Sequence, residues 1–343
     1  MDVHTHFVPP EVVNEARRGH GFDGVRTERV DGEEWLVHRQ GFRYPLHRSF
    51  YDLEVRVRAM DERRVDRAVV SMAPPMFMYW TEGGEATDFC RRSNDALARF
   101  TRDSGGRITA VATLPMQDPD AAASELRRAV GELGLRGAEV GPRVEDVPLD
   151  DPAVRSVLAT AAELDVPLIL HPYYVGSRPG LEEFYLTNLI GNPLETTICA
   201  GRLIFSGLLD EIEDLELVLM HGGGFLPYQI GRMDHGHRVR PESRGCRYDP
   251  SRYLSRFWFD TVTHAAGPLR FLVDMVGADH VVFGTDFPYD MAAGAFEEQV
   301  AGTGLDERDL AHVAGDTAAR LFALETGGRT PTGAGRSAEG EGS

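Results

Sequence analysis

No unbroken apolar run in this sequence approaches the ~18 residues that a membrane-spanning helix needs. No signal peptide precedes the first histidine. Cysteine is scarce: Cys90, Cys199 and Cys246 lie far apart with no C-x-x-C pairing. That argues against a disulfide framework and for reduced thiols, packed as small core residues in a cytoplasmic protein. Positive charge is also short, with 36 Lys and Arg against 54 Asp and Glu and a net charge of −18. Nucleic acid and anionic membrane surfaces are therefore excluded as partners, and a small anionic substrate would need locally placed arginines. There is no G-x-G-x-x-G and no P-loop.

What the sequence does have is an ordinary enzyme composition, 42% hydrophobic and 26% charged over 343 residues. From residue 52 onward it alternates between strand-like and helix-like stretches. VHTHF, RAVVSMA, RITAVATLPM, LRGAEVG, VPLILHPYY, LELVLMHGGG, FWFDTVTH and HVVFGTDFPYD read as strands. Each is eventually followed by a helical pattern, such as DPAVRSVLATAAELD, where Val154, Val157, Leu158, Ala161 and Leu164 recur at helical spacing. Eight such units predict an α/β fold, a (β/α)8 TIM barrel. A doubly wound open sheet is the alternative. Residues 11–50 interrupt the alternation and read as a small β-rich insertion after the first strand. The barrel is expected to span 1–326, and the Gly/Ser/Thr-rich residues 327–343 read as a disordered tail.

The unusual polar residues fall at predicted strand ends, on the rim where barrel enzymes keep their sites. His4 and His6 end the first strand, His171 the fifth, His221 the sixth and Asp286 the eighth. Period-two alternation points His4 and His6 the same way, so two imidazoles can share one ion. His171 and Asp286 would complete a nitrogen and oxygen set suited to Zn²⁺, with water in an open position. Each piece alone has a bland reading: an incidental H-x-H, a hydrogen-bonded strand-end histidine, a glycine turn in HGGG, a capped loop in GTDFP. Their joint occurrence in register favours the metal. His221 is better placed as an acid or base than as a further ligand, since a neutral imidazole exchanges protons near neutral pH. The three glycines after it permit either a close approach to ligand or a simple turn.

DVHTH, HP after a β run, HGGG and GTDFP, in that order, resemble the amidohydrolase superfamily, and specifically its amidohydrolase-2 branch. PPMFMYW, ATLPMQDP, NPLETT and the segment 221–236 are similar to its 2-amino-3-carboxymuconate-6-semialdehyde decarboxylase group. The resemblance runs from Asp2 to about Leu324. It implies one divalent metal, usually zinc, held by His4, His6, His171 and Asp286, with His221 transferring protons. It further implies that Arg43 binds a substrate carboxylate and that Arg232 reaches the neighbouring site of a homodimer in trans. For either arginine the residues alone allow a surface ion pair, worth little. Phe77, Tyr79 and Trp80 keep the group's aromatic string, as a pocket wall or as core. Two positions depart from it: Asn188 stands in place of a tryptophan, and YYVGSRPG follows the His171-Pro172 pair. The resemblance implies that both positions line the substrate pocket.

The expectation is a metal-dependent, non-oxidative decarboxylase of a small unsaturated or aromatic carboxylic acid, with His221 and Asp286 as candidate proton carriers. A hydrolase of an amide or lactone on the same barrel is the alternative. A catalytically inactive barrel serving as a binding module is a third reading, disfavoured because all five polar residues are present.

Overall fold

Parallel strands with both faces covered need apolar residues at nearly every position, and the strand segments here comply. In the computed structural model, which describes residues 1–173 and 178–324, β1 (Asp2–Phe7) pairs in parallel with β5 (Ala68–Met72), and β5 with β6 (Ile108–Ala110). Between β1 and β5 lie β2 (Arg26–Val30), β3 (Glu33–Val37) and β4 (Arg43–Pro45), a separate antiparallel sheet. β7 (Ala112–Thr113), β8 (Ala138–Val140), β11 (Leu168–Leu170), β12 (Leu217–Leu219), β13 (Phe257–Asp260) and β14 (Val281–Val282) form a second parallel sheet. A short hairpin of β9 (Arg143–Val144) and β10 (Val147–Pro148) follows β8.

The two parallel sheets join at both ends. β6 and β7 are halves of one stave broken at Val111, whose N–H donates to Val70 O at 3.0 Å. At the other seam, Val3 N–H donates to Phe283 O at 2.9 Å and Asp286 N–H to His4 O at 2.8 Å. The result is a closed (β/α)8 barrel, and closure excludes the open doubly wound sheet. Val3, Val69, Val111, Ile169, Val218 and Val282 fill its interior as one cluster, covered at one end by Ala318, Leu321 and Phe322. Alternate residues such as Leu168, Leu170, Leu217 and Leu219 face the surrounding helices. Fully burying each such side chain contributes roughly 1.5–3 kcal/mol.

Some helices begin at a side-chain cap. Asp52 accepts from Val55 N–H ahead of Leu53–Glu62, and Asp118 accepts from Ala121 N–H ahead of Pro119–Gly131. In Gly83–Asp103 the buried positions Ala86, Phe89, Cys90, Ser93, Leu97 and Phe100 keep helical spacing.

The segment after β1 opens with a helix, Pro10–Arg17, before β2, β3 and β4. Its Val12, Val13, Leu36, Tyr44 and Leu46 pack on Phe50, Met72 and Met76 at the end of β5. Trp80 Nε1–H donates to Asp23 Oδ2 at 2.6 Å, tying this layer to the barrel. The tail expected at 327–343 lies outside the described residues.

Candidate metal centre

β1 reaches the site through a bulge. Asp2 pairs with Ala68 but Thr5 with Val70, so β1 carries one extra residue between them. Val3 therefore joins the interior layer of Val69, while His4 and His6 both turn to the same group of side chains. The His4 ring lies 5.2 Å from His6, 5.0 Å from His171 and 5.2 Å from His221, centroid to centroid. His6 is 4.9 Å from His171, and His171 is 5.0 Å from His221. Asp286 sits among them, with Oδ1 at 3.0 Å from His6 Nε2 and 3.4 Å from His4 Nε2, and Oδ2 at 3.8 Å from His221 Nε2. His221 and Asp286 both hold left-handed backbone, φ 58° and 64°. That conformation costs about 1–3 kcal/mol in a non-glycine residue and collects at functional sites.

Hydrogen bonds orient the rings. His4 Nδ1–H donates to Asp260 Oδ2 at 2.5 Å, and His171 Nδ1–H to Pro172 O at 2.5 Å. Each ring then presents the Nε2 lone pair to the centre, and both Nε2 atoms are buried without a hydrogen-bond partner. On the other side of His6, Ser71 Oγ donates to Thr5 O and lies 3.3 Å from His6 Nδ1. Two unpaired buried nitrogens would each cost about 1–3 kcal/mol, which a cation among them would relieve.

The donor atoms of His4, His171, His221 and Asp286 lie within 4.8 Å of one another, and His6 joins through Asp286. Ligands on a tetrahedral shell of ~2.0–2.2 Å stand roughly 3.4 Å apart, so the His4–Asp286 and His6–Asp286 separations fit one ion. Imidazoles and a carboxylate are a donor set that Zn²⁺ and Mn²⁺ both accept.

Electrostatics run the same way. Burial opposes ionisation of Asp286, yet His4, His221 and His6 around it hold its carboxyl well below the usual range. Burial drives His6 down to about 4 and His171 well below an ordinary imidazole. For His4 burial is outweighed by Asp286 and Asp260, which raise it to about 10. A cation bound between Asp286 and the imidazoles would take the place of the proton that these carboxylates hold on His4.

A cavity of about 480 Å³ opens beside this centre, reaching His221 and Asp286 and lined by Asn188, Asn192 and Thr263 together with apolar side chains. Of the residues expected at the substrate, Asn188 lies here. Phe77 does not: it is buried against Tyr79 and Tyr173, with centroids at 5.5 and 6.0 Å, as core. Trp80 is held by its bond to Asp23. Arg43 is exposed on β4, its guanidinium 5.3 Å over the Trp35 ring. Arg232 is exposed on the helix Leu226–Val239. The structure thus gathers the metal set, His221 and Asn188, and leaves Arg43, Arg232, Phe77 and Trp80 outside the cavity lining. Of the glycines, Gly222 and Gly224 line the cavity, while Gly223 (φ 73°) serves the turn, where a Cβ would meet the Phe259 ring at 2.5 Å.

Several contributors had no clear signal in the sequence. Asp260 binds both His4 and Gly222 N–H, the latter at 2.6 Å; its place at the end of FWFD is the one trace of it. Asp2 accepts from His4 N–H and from Thr285 Oγ1–H, at 3.1 and 2.6 Å. Arg56, fully buried, donates to His6 O and to Ser49 O and stacks 5.2 Å from Phe287. Glu139, also fully buried, is pushed up to about 8 by desolvation, which favours its neutral form.

The family model described as amidohydrolase matches residues 1–324. The chain belongs to the amidohydrolase family. A 2-amino-3-carboxymuconate-6-semialdehyde decarboxylase of Dictyostelium discoideum is 30% identical over 298 residues, covering 85% of this chain and 82% of that one. A gamma-resorcylate decarboxylase of Rhodococcus jostii is 31% identical over 342 residues, covering 93% and 97%. Among solved structures, a dihydroxybenzoic acid decarboxylase of Polaromonas sp. JS666 with bound manganese and 2-nitroresorcinol superimposes with a TM-score of 0.72. It is 26% identical and covers 94% of this chain and 97% of that one. Family, barrel and enzyme class agree with the reading of the sequence, a metal-dependent carboxy-lyase of the amidohydrolase superfamily; the hydrolase alternative has less support. No helix among the described residues is long and apolar enough to cross a membrane.

Proposed function

We propose that this enzyme removes CO₂ from a hydroxylated aromatic or unsaturated carboxylic acid, using one divalent ion, Zn²⁺ by our reading, held by His4, His6, His171 and Asp286. The observation that carries the proposal is the pair of unpartnered, buried Nε2 atoms of His4 and His171, facing Asp286 beside a ligand-sized cavity. When bound, the ion supplies Lewis-acid polarisation of a substrate oxygen.

His221 lines the cavity and stands 3.8 Å from Asp286, where it can deliver a proton to the carbon bearing the carboxylate. That carbon becomes tetrahedral and conjugation breaks. The bond to the carboxylate then cleaves, CO₂ departs, and the electron pair restores the conjugated system. Asn188, Asn192 and Thr263 offer hydrogen bonds to ring hydroxyls.

The chain itself contributes no lysine or arginine to the cavity lining among the described residues. We assign the carboxylate-binding cation to Arg232 of a second copy in a homodimer. Arg232 follows Tyr228, a cavity-lining residue, by one helical turn. Arg43, stacked on Trp35, is not part of this proposal. The free cysteines Cys90, Cys199 and Cys246 suit a reducing, cytoplasmic location.

A panel of hydroxybenzoic and muconic acids scored for CO₂, with amides and lactones alongside, tests the reaction. CO₂ from at least one acid supports it; hydrolysis alone would replace it with the hydrolase reading. Mixed dimers of His221→Ala and Arg232→Ala subunits should recover one intact site, and no recovery would end the shared-site arrangement.

A further inference from the structure

The cavity is larger and more apolar than a single carboxylated ring requires. Its volume of about 480 Å³ falls within the ~300–1,000 Å³ of sites that enclose drug-sized ligands. His221 and Asp286 belong to the lining, and Leu189, Phe225, Phe271 and Met291 supply its apolar wall. These side chains are not filler for the core. Leu189 is 44% exposed, Phe271 40% and Phe225 36%, so large apolar surfaces stand open around a cavity continuous with the reacting groups. Uncovered apolar surface of this kind marks a place where something binds.

What binds there is restricted by charge as well as by shape. With no lysine or arginine of this chain in the lining among the described residues, a second anionic group on the ligand would find hydrogen-bonding side chains such as Asn188, Asn192 and Thr263 but no guanidinium or ammonium from this chain. We infer that the wall receives an apolar substituent on the substrate ring, an alkyl chain or a second ring, so that the preferred substrates are hydroxylated aromatic monocarboxylates carrying one. This rests on the decarboxylase reading and narrows it. The same side chains, if covered instead by a second copy, would leave substrate preference indifferent to the substituent.

Each buried methylene contributes about 0.8 kcal/mol, close to a fourfold gain per methylene, so a propyl substituent gains on the order of fifty-fold. The experiment compares kcat/KM for CO₂ release from hydroxybenzoic acids bearing hydrogen, methyl, propyl or phenyl. It also measures binding of the matching phenols by calorimetry. Wild type, Leu189→Trp and Ile198→Trp are compared, each also sized by sedimentation. The expected result is a preference that rises with substituent size and falls at least tenfold in Leu189→Trp. Ile198→Trp, which alters an exposed residue outside the lining, should keep the wild-type ratio.

CO₂ release without any gain from the substituent would overturn the inference and leave the decarboxylase reading standing. Tighter binding of propylphenol with no CO₂ from any acid would support the apolar wall and remove the decarboxylase reading. A Leu189→Trp variant that changes only the oligomeric state, with the ratio intact, would assign the wall to a subunit contact and overturn the inference.

Discussion

His4 Nδ1 lies 2.5 Å from Oδ2 of Asp260, and both side chains are wholly shielded from solvent. The two residues are 256 positions apart, yet this contact selects the tautomer that turns the His4 Nε2 lone pair toward Asp286. Asp260 also accepts from the N–H of Gly222, directly after His221. One carboxylate thereby orients a proposed metal ligand and the loop carrying the proposed proton carrier.

Asp260→Asn keeps the size of the side chain but removes the charge that fixes His4. Partners of this kind are worth about 10–100-fold in metal affinity. Chelator competition should show a loss of that order, with far-ultraviolet dichroism unchanged. Wild-type affinity in the variant would mean that the contact plays no part in holding the ion.

Gly284 is required by close approach. A Cβ there would lie 2.8 Å from His4 Cβ and 3.1 Å from Asp260 Cβ, in the middle of the contact just described. Gly284→Ala should therefore lower metal stoichiometry and destabilise the fold by about 1–3 kcal/mol, the usual cost of overpacking, read from metal analysis and urea unfolding. A variant with full metal content and unchanged stability would show that the strand end yields freely.

The candidate metal ligands His4, His6, His171 and Asp286, and His221 beside them, were legible in the sequence because strand ends carry barrel sites, and the structure brings all five together. The layer beneath them was not. Asp260, Ser71 and Arg56 act through partners brought close only when the barrel closes, and no periodicity marks such pairs. The bulge in β1 was equally hidden, since one extra residue leaves the H-x-H string unchanged. Arg43, whose expected role came from the resemblance, stands on β4 with its guanidinium over the Trp35 ring, a contact that no pattern in the sequence marks. Asn188, read as a departure from the family pattern, does line the cavity.

His38 gives a pH signature away from the metal. It is buried on the inserted layer, stacked on Phe42 at 4.2 Å, and both ring nitrogens lack partners. Burial lowers it from 6.5 to about 3. Between those values the unfolded chain binds the proton and the folded chain does not, so stability falls as pH drops below 6.5 toward 3. The slope from this group approaches ~1.4 kcal/mol per pH unit. His38→Phe removes the titration, and urea unfolding from pH 7 to pH 4 should show a shallower loss than wild type. Parallel curves would contradict the assignment.

The most direct test of a metal-dependent decarboxylase is CO₂ release from the acid panel, measured before chelation, after it, and after returning one equivalent of Zn²⁺ or Mn²⁺ per chain. Release should drop to background on chelation, return with a single equivalent, and stay absent in His171→Ala at any metal concentration. Full CO₂ release from metal-stripped enzyme, or turnover of amides and lactones with no CO₂ from any acid, would contradict a metal-dependent decarboxylase.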